Sequence, residues 1–246
     1  MHVPCGVRVP AQPCQDGRLT RARNAWALAA AVTGVTVAAA SGAIGLRRLA
    51  RRSCVTAADL ARPLPGDELV PEPSFVVDRA AVLPAPPPSV WPWLVQLGKA
   101  RGWWYLPAWA ERFVWAREKR GARRVVAALQ ELAVGDVVPD WGPGDPVFKV
   151  ATLEPPRALV YHSIRQRSNG WRWPEPDAPR PPDCLEFSWA LVVEPAAGER
   201  SRLHVRLRAT TPGGRSRPLL ELAGGLVDYL TIELMVRGLR ERLSSP

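Results

Sequence analysis

Two stretches in the last third of the chain alternate, with apolar residues recurring at every second position on one face. Leu185, Phe187, Trp189, Leu191 and Val193 share one face of the first, and Leu203, Val205, Leu207 and Ala209 share one face of the second. His204, Arg206 and Arg208 occupy the opposite face of the second stretch. Period-two patterning of this kind predicts two half-buried strands of an antiparallel sheet, joined by a turn that holds Gly198. Upstream, Ser74–Leu83 and Asp136–Pro139 read as strands, and Val147–Glu154 with Ala158–Ser163 as a hairpin around Pro155-Pro156. Ser89 is placed to cap a short helix that runs through Leu97, with Pro92 early in it where a missing N–H costs little. A second helix is predicted from Pro107 to Trp115. A long last helix spans Pro218–Leu243, with Leu219, Leu222, Leu226, Leu230 and Leu234 at helical spacing and Gly224-Gly225 as a possible kink. Between the hairpin and the late strands, Ile164–Asp183 is rich in Pro and Arg, and reads as a long loop suited to act as a lid. One strand, two helices, about five strands and a long helix make an α+β architecture.

The N-terminal part follows a different pattern. Asn24 to Leu46 carries no charged residue. At about 1.5 Å per residue it is long enough to cross a bilayer core of about 30 Å. The chain therefore divides into a tail (1–23), one transmembrane helix (24–46), a linker (47–73) and a globular domain (74–246). A secretory signal peptide fits less well, because the apolar stretch is long and no clean small-residue cleavage site precedes the arginines that follow it. Arg47, Arg48, Arg51 and Arg52 are packed closely after the span. The positive-inside rule then predicts a single-pass membrane protein with its C-terminal domain in the cytoplasm.

The formal net charge of +10 is unevenly spread. Residues 1–53 hold eight Arg against Asp16 alone, a net of +7, while the other 193 residues carry 25 bases and 22 acids. The excess flanks the hydrophobic span, and no basic stripe or recognised motif supports nucleic-acid binding. Arg117–Arg124 is a local charge run, read as a solvated surface. Cys5, Cys14, Cys54 and Cys184 form no C-x-x-C pair, and His2, His162 and His204 are scattered, so no metal site is expected. No cofactor fingerprint is visible, since Gly98 to Gly102 is too short and wrongly placed for a nucleotide loop.

Six of the eleven tryptophans fall between Val90 and Trp115. The words in and around this stretch resemble the SRPBCC superfamily (START-like, polyketide cyclase-like, helix-grip fold), most closely a membrane-anchored actinobacterial branch. The matching residues run from Ala85-Pro86-Pro87 through Val90-Trp91-Pro92-Trp93-Leu94-Val95-Gln96-Leu97-Gly98, Arg101-Gly102, Trp104-Tyr105 and Glu111-Arg112. They continue in Gly135–Pro139, Phe148-Lys149-Val150, Glu154–Val160, Ser188-Trp189, Ser201-Arg202-Leu203 and Met235 with Gly238–Arg242. The resemblance covers roughly residues 74–243. It departs from the pattern at Trp103, where the family usually has Gly, and at Leu106-Pro107-Ala108, where it has a more polar run. It implies an antiparallel sheet wrapped on the C-terminal helix, with a cavity between them for a lipid, sterol-like or polyketide-like molecule.

Trp104, Tyr105, Tyr161, Phe187, Trp189 and Tyr229 are then the candidate ligand-binding residues. Glu233 is the inward acid on the last helix, preferred over Asp228 because Leu226 and Leu230 precede it at helical spacing. Glu186 alternates with the apolar face and is expected to point away, and His162 reads as structural. No catalytic residue is assigned, and binding of a hydrophobic small molecule beside a membrane is the leading expectation. The alternatives are a cyclase or dehydratase acting on a polycyclic substrate through Glu233, and a non-enzymatic module docking a membrane partner through its aromatic patch.

Overall fold

The computed structural model describes residues 55–113, 120–140, 144–174, 181–213 and 217–244. The chain divides into two units, 1–52 and 53–246, and all described residues belong to the second. The predicted transmembrane helix therefore lies outside the described residues. Among the described residues no helix is long and apolar enough to cross a membrane.

Six strands form one antiparallel sheet: β1 (Phe75–Leu83), β2 (Val137–Pro139), β3 (Val147–Glu154), β4 (Ala158–Gln166), β5 (Cys184–Ala196) and β6 (Arg200–Thr210). Their order across the sheet is β1-β6-β5-β4-β3-β2. Among the described residues four helices accompany them: α1 (Ala57–Ala61), α2 (Pro87–Val95), α3 (Ala108–Glu111) and α4 (Arg217–Leu243). The alternation seen in the sequence sets the register. Val193 pairs with Leu203, Leu191 with Val205 and Trp189 with Leu207, so both apolar sets fall on one face. That inner face packs on Val90, Trp93, Leu94 and Leu97 from α2 and its end, and on Ile232, Met235, Val236 and Leu239 from α4.

The outer face departs from expectation. His204 is fully buried and Arg206 is 3% exposed. What covers them is the segment 55–73, read from the sequence as part of a linker. It contains α1 and a single 3-10 turn at Asp67–Leu69. Arg206 Nε donates to Asp78 Oδ1 at 2.8 Å, and its Nη1 donates to Asp67 Oδ2 and to the Arg62 carbonyl, both at 2.8 Å. Its Nη2 donates to the carbonyls of Asp59 (2.7 Å) and Leu60 (3.4 Å). His204 Nε2 lies 2.7 Å from the same Asp78 oxygen. Burial alone would raise the Asp78 pKa, but the bonds from His204 and Arg206 outweigh it and hold the carboxyl below its ordinary value. Leu64 adds a small apolar contact with Ala158 and Val192. Gly66, at φ +91°, lets the segment approach so closely that a Cβ there would sit 2.5 Å from Val160 Cγ1. Thr56 and Asp59 form a reciprocal capping box at the start of α1, and Arg202 bonds Asp59 at 2.6 Å. A polar row predicted to meet solvent is thus satisfied by folded chain.

Three helix expectations also change. α2 begins at Pro87 rather than at a Ser89 cap, since a Pro at N1 needs no N–H partner, and it ends at Val95. The predicted helix from Pro107 is described as helix only over Ala108–Glu111, and residues 114–119 lie outside the described set. In α4, Leu222 and Leu230 are 59% and 49% exposed and Leu226 is also exposed, while Tyr229, Ile232, Val236 and Leu239 are buried. The helix carries two apolar stripes, and the sheet takes the one that includes Tyr229. The far end of α4 is locked in place. A Cβ on Gly238 would meet the Leu106 carbonyl carbon at 2.6 Å, so the backbones touch there. Arg242, buried over the Tyr105 ring, donates to the Ala122, Leu106 and Gly238 carbonyls and to Glu111. Glu111 also accepts from Arg123.

Two predictions follow from the outer face. Arg206→Ala takes the guanidinium from the buried Asp78 carboxylate, leaving it with His204, and frees the buried Asp59 and Arg62 carbonyls; it costs about 3–5 kcal/mol in urea unfolding. A loss below about 1 kcal/mol would show that the segment 55–73 is not held there. Asp59→Asn removes half the capping box and an ion pair, and costs about 1–2 kcal/mol at pH 7. Burial raises the Asp59 pKa, but the Thr56 bonds and the Arg202 charge bring it down to about 2. Its stabilisation is therefore present above the unfolded pKa of about 4 and is lost as pH falls toward 2. The gap between wild type and variant narrows over that window, and a gap independent of pH contradicts the assignment.

Candidate functional site

Side chains on alternate positions of neighbouring strands form rows across the inner face. One row runs Val77, Leu207, Trp189, Tyr161 and Val150, and the next runs Phe75, Ala209, Phe187 and Ser163. Tyr161 and Trp189 stack with ring centroids 6.1 Å apart at 25°, and Phe148 stacks on Trp189 at 6.2 Å and 28°. Phe187 meets Phe148 edge-on at 5.6 Å, and Trp104 meets Trp189 edge-on at 5.4 Å. Each such pair contributes about 0.5–1.5 kcal/mol beyond its area. Arg165 caps this group, its guanidinium 4.7 Å from the Phe187 centroid and 5.6 Å from that of Phe148. It is held by Asp140 and by Ser163 Oγ at 3.1 Å.

Inside the cluster two polar tips have no hydrogen-bond partner. Tyr161 Oη and Trp189 Nε1 are shut from solvent, on residues 1% and 6% exposed. Leaving such a group unpaired costs about 1–3 kcal/mol. Burial pushes the Tyr161 hydroxyl well above its ordinary pKa, opposed only by the Arg101 charge, so it stays a neutral O–H.

The structure brings Trp104, Tyr161, Phe187 and Trp189 together and sends the other named residues elsewhere. A turn closed by Trp103 N donating to the Gly98 carbonyl at 2.9 Å leads into Trp104 and Tyr105, whose side chains pack in different places. Trp103 adopts φ +59° in that turn, the left-handed conformation that glycine takes most readily. Tyr105 packs edge-on to Trp93 at 5.5 Å, and its hydroxyl donates to the Trp93 carbonyl at 2.7 Å. It is a core strut with its polar tip satisfied. Tyr229 lies under the Arg79 guanidinium, 4.3 Å from ring centroid to Cζ. Glu233 is half-buried and accepts from Arg237 Nε at 2.9 Å, one turn along the same helix.

Asp228 is the carboxyl that α4 turns inward. Its Oδ2 is shut from solvent without a hydrogen-bond partner, beside Arg79. The spacing Asp228, Ile232, Met235, Leu239 places it on the buried stripe, whereas Glu233 follows the exposed Leu226 and Leu230. The sequence reading also passed over Phe148, Arg101 and Arg165. Phe148 alternates with Val150, and Arg165 alternates with Tyr161 and Ser163 once β4 is carried to Gln166.

The outer face holds what was expected to lie away from the site. His162 Nε2 is 2.8 Å from Glu186 Oε1. Trp173 packs edge-on to His162 at 5.7 Å, with Lys149 Nζ 4.3 Å from its centroid. Lys149 and His162 are cross-strand partners on the outer face. Ile164–Gln166 belongs to β4, and Trp173, from the described part of the following loop, turns to that face rather than over the inner aromatics. The lid expected of residues 164–183 is not formed by these residues. Among the described residues no group of His, Cys, Asp and Glu is placed to hold a metal ion.

No family model matches the chain, and no curated protein does. Solved structures align with most of it at low identity. A protein from Arthrobacter aurescens is 13% identical over 70% of this chain and 88% of that one, with a TM-score of 0.41. CalU16 from Micromonospora echinospora is 18% identical over 68% of this chain and 83% of that one, with a TM-score of 0.33. DynU16, from the dynemicin biosynthetic locus, is 15% identical over 70% of this chain and 48% of that one, with a TM-score of 0.37.

Burial raises the Asp228 pKa to about 7, with the Arg79 charge pulling the other way. A raised carboxyl stabilises the fold fully below the unfolded pKa of about 4, and that contribution is lost as pH rises through 7. Asp228→Asn removes the ionisation penalty. Its Tm should exceed that of wild type at pH 8, by about 2–4 °C for each kcal/mol recovered, and match it at pH 4. Thermal melts at the two pH values check this, and a variant less stable at pH 8 would refute it.

Proposed function

We propose that this protein binds a hydrophobic small molecule, lipid-like or polyketide-like, between the inner face of the sheet and α4, and does so tethered to a membrane. The observation that carries the reading is the ring cluster of Trp104, Phe148, Tyr161, Phe187 and Trp189. Apolar walls with a few placed polar groups are the usual composition of small-molecule sites, and Phe187 and Trp104 at its edge are only half-buried. A six-stranded antiparallel sheet with a long C-terminal helix supports the helix-grip reading of the sequence. The tether is the uncharged segment 24–46, with the arginines at 47, 48, 51 and 52 adding attraction to anionic headgroups of about 1 kcal/mol each near the surface. It would place the domain on the cytoplasmic side, where apolar ligands partition from the adjacent bilayer.

A second reading, a cyclase or dehydratase on a polycyclic substrate, is favoured by one observation. Asp228 is half-buried on the inner side of α4 with its Oδ2 shut from solvent, burial raises its pKa to about 7, and a general acid or base needs such a pKa. A single group without a convergent partner supports binding better than turnover.

Native mass spectrometry of the full chain, released from lipid nanodiscs in the gas phase, tests the first reading. A retained apolar adduct, recovered by organic extraction, is the expected result. A clean unliganded mass with no uptake from a total lipid extract would overturn it. Loss of turnover with retained binding in Asp228→Asn, on any substrate so identified, would establish the second.

A further inference from the structure

Resting on the apolar-ligand reading, we propose that Tyr161 Oη and Trp189 Nε1 form a hydrogen-bonding subsite for an acceptor oxygen. The molecule held there is then flat, largely apolar and marked by a ketone, quinone or ester carbonyl. Tyr161 and Trp189 are direct cross-strand partners on β4 and β5, so their side chains leave the sheet side by side, about 5 Å apart at Cβ. Their rings lie within 25° of parallel, and Phe148 stacks on the Trp189 ring at 28°. Phe148 is tilted 52° from Tyr161, so the near-parallel pair is Tyr161 with Trp189, and two such faces suit a planar guest better than a flexible chain.

The chemistry of the unpartnered atoms specifies the rest. An indole Nε1–H is a donor only, and a phenol gives one O–H. A third buried donor is nearby. Arg101 Nε has no hydrogen-bond partner, while Arg101 Nη2 is anchored on the carbonyls of Val95 (3.2 Å) and Leu129 (2.6 Å). Its charge is close enough to act on the Tyr161 hydroxyl. Two buried donors under the field of a fixed cation form an environment richer in donors than in acceptors. A carbonyl oxygen, with two lone pairs and no proton, complements it; a hydrocarbon leaves it unmet and an ammonium is repelled. The site would therefore discriminate between two guests of equal shape by the presence of one oxygen.

9-Fluorenone and fluorene differ only in that oxygen. Each is offered to the full chain in lipid nanodiscs, and the ligand retained over empty nanodiscs is measured by chromatography. The ketone should bind wild type at least tenfold more tightly than the hydrocarbon. In Tyr161→Phe the preference should fall below threefold with fluorene binding unchanged. Trp189→Phe, which keeps a ring and loses the donor, should reduce the preference as well. Equal affinities in wild type, or an undiminished preference in both variants, would overturn the subsite while leaving apolar binding intact. Failure of both probes to bind would overturn the apolar-ligand reading itself, and the subsite with it. Fluorene binding serves as the check that each variant is folded.

Discussion

Both faces of one antiparallel sheet have to be covered, and among the described residues helical hydrocarbon covers one of them. α2 and α4 supply Val90, Leu94, Ile232, Met235 and Leu239 to the inner face. The outer face presents Asp78, His204 and Arg206, which cannot be buried under apolar side chains without large desolvation costs. The solution is a segment that covers the row with backbone carbonyls and carboxylates. Arg206 finds acceptors on Asp59, Leu60, Arg62, Asp67 and Asp78 at once. A buried ion network of this kind is a weak source of net stability but demands one geometry, because any shift leaves a charge unpaired. It fixes where residues 55–73 sit on the sheet.

The inner face is anchored at one end and less densely tied at the other. Gly238 against Leu106 and Arg242 against Glu111 pin the C-terminal turns of α4 to the segment that follows α2. Leu222, Leu226 and Leu230, in the first half of the same helix, stay exposed. The aromatic rows of β3, β4 and β5, with Phe187 and Trp104 half-buried, lie toward the ends of the strands that Arg165 and Phe75 occupy. The division is physical. Where the helix is locked, polar tips such as the Tyr105 hydroxyl are satisfied within the protein. In the aromatic rows, the tips of Tyr161 and Trp189 are not.

Much of the sheet was legible because strand periodicity is a local property. The alternation of Leu185 to Val193 and Leu203 to Ala209 sets which residues face the core, and the pairing confirms it. Phe187 and Trp189 were legible for the same reason, since both lie on inward positions of the first of those strands, and Tyr161 meets Trp189 as its cross-strand partner on β4. The helix was harder. α4 has apolar residues on two stripes, and spacing alone does not say which one meets the sheet. Choosing the Leu222 stripe carried Glu233 inward with it and left Asp228 aside. Arg165 was assigned to a loop because β4 was ended three residues early.

The sequence by itself determined the element order, the α+β class and the inward face of the two longest strands, because these follow from the period of the backbone and from burial on one side. It also determined that the positive charge gathers around one uncharged segment near the N-terminus. Only the tertiary structure decided that residues 55–73 are part of the folded unit, that His204 and Arg206 are interior, and which stripe of α4 is buried. It alone brought Phe148 and Arg165 to Trp189 and left two polar tips unpaired. Each of these is a contact between residues far apart in the chain, where partner geometry rather than local pattern settles which groups leave water.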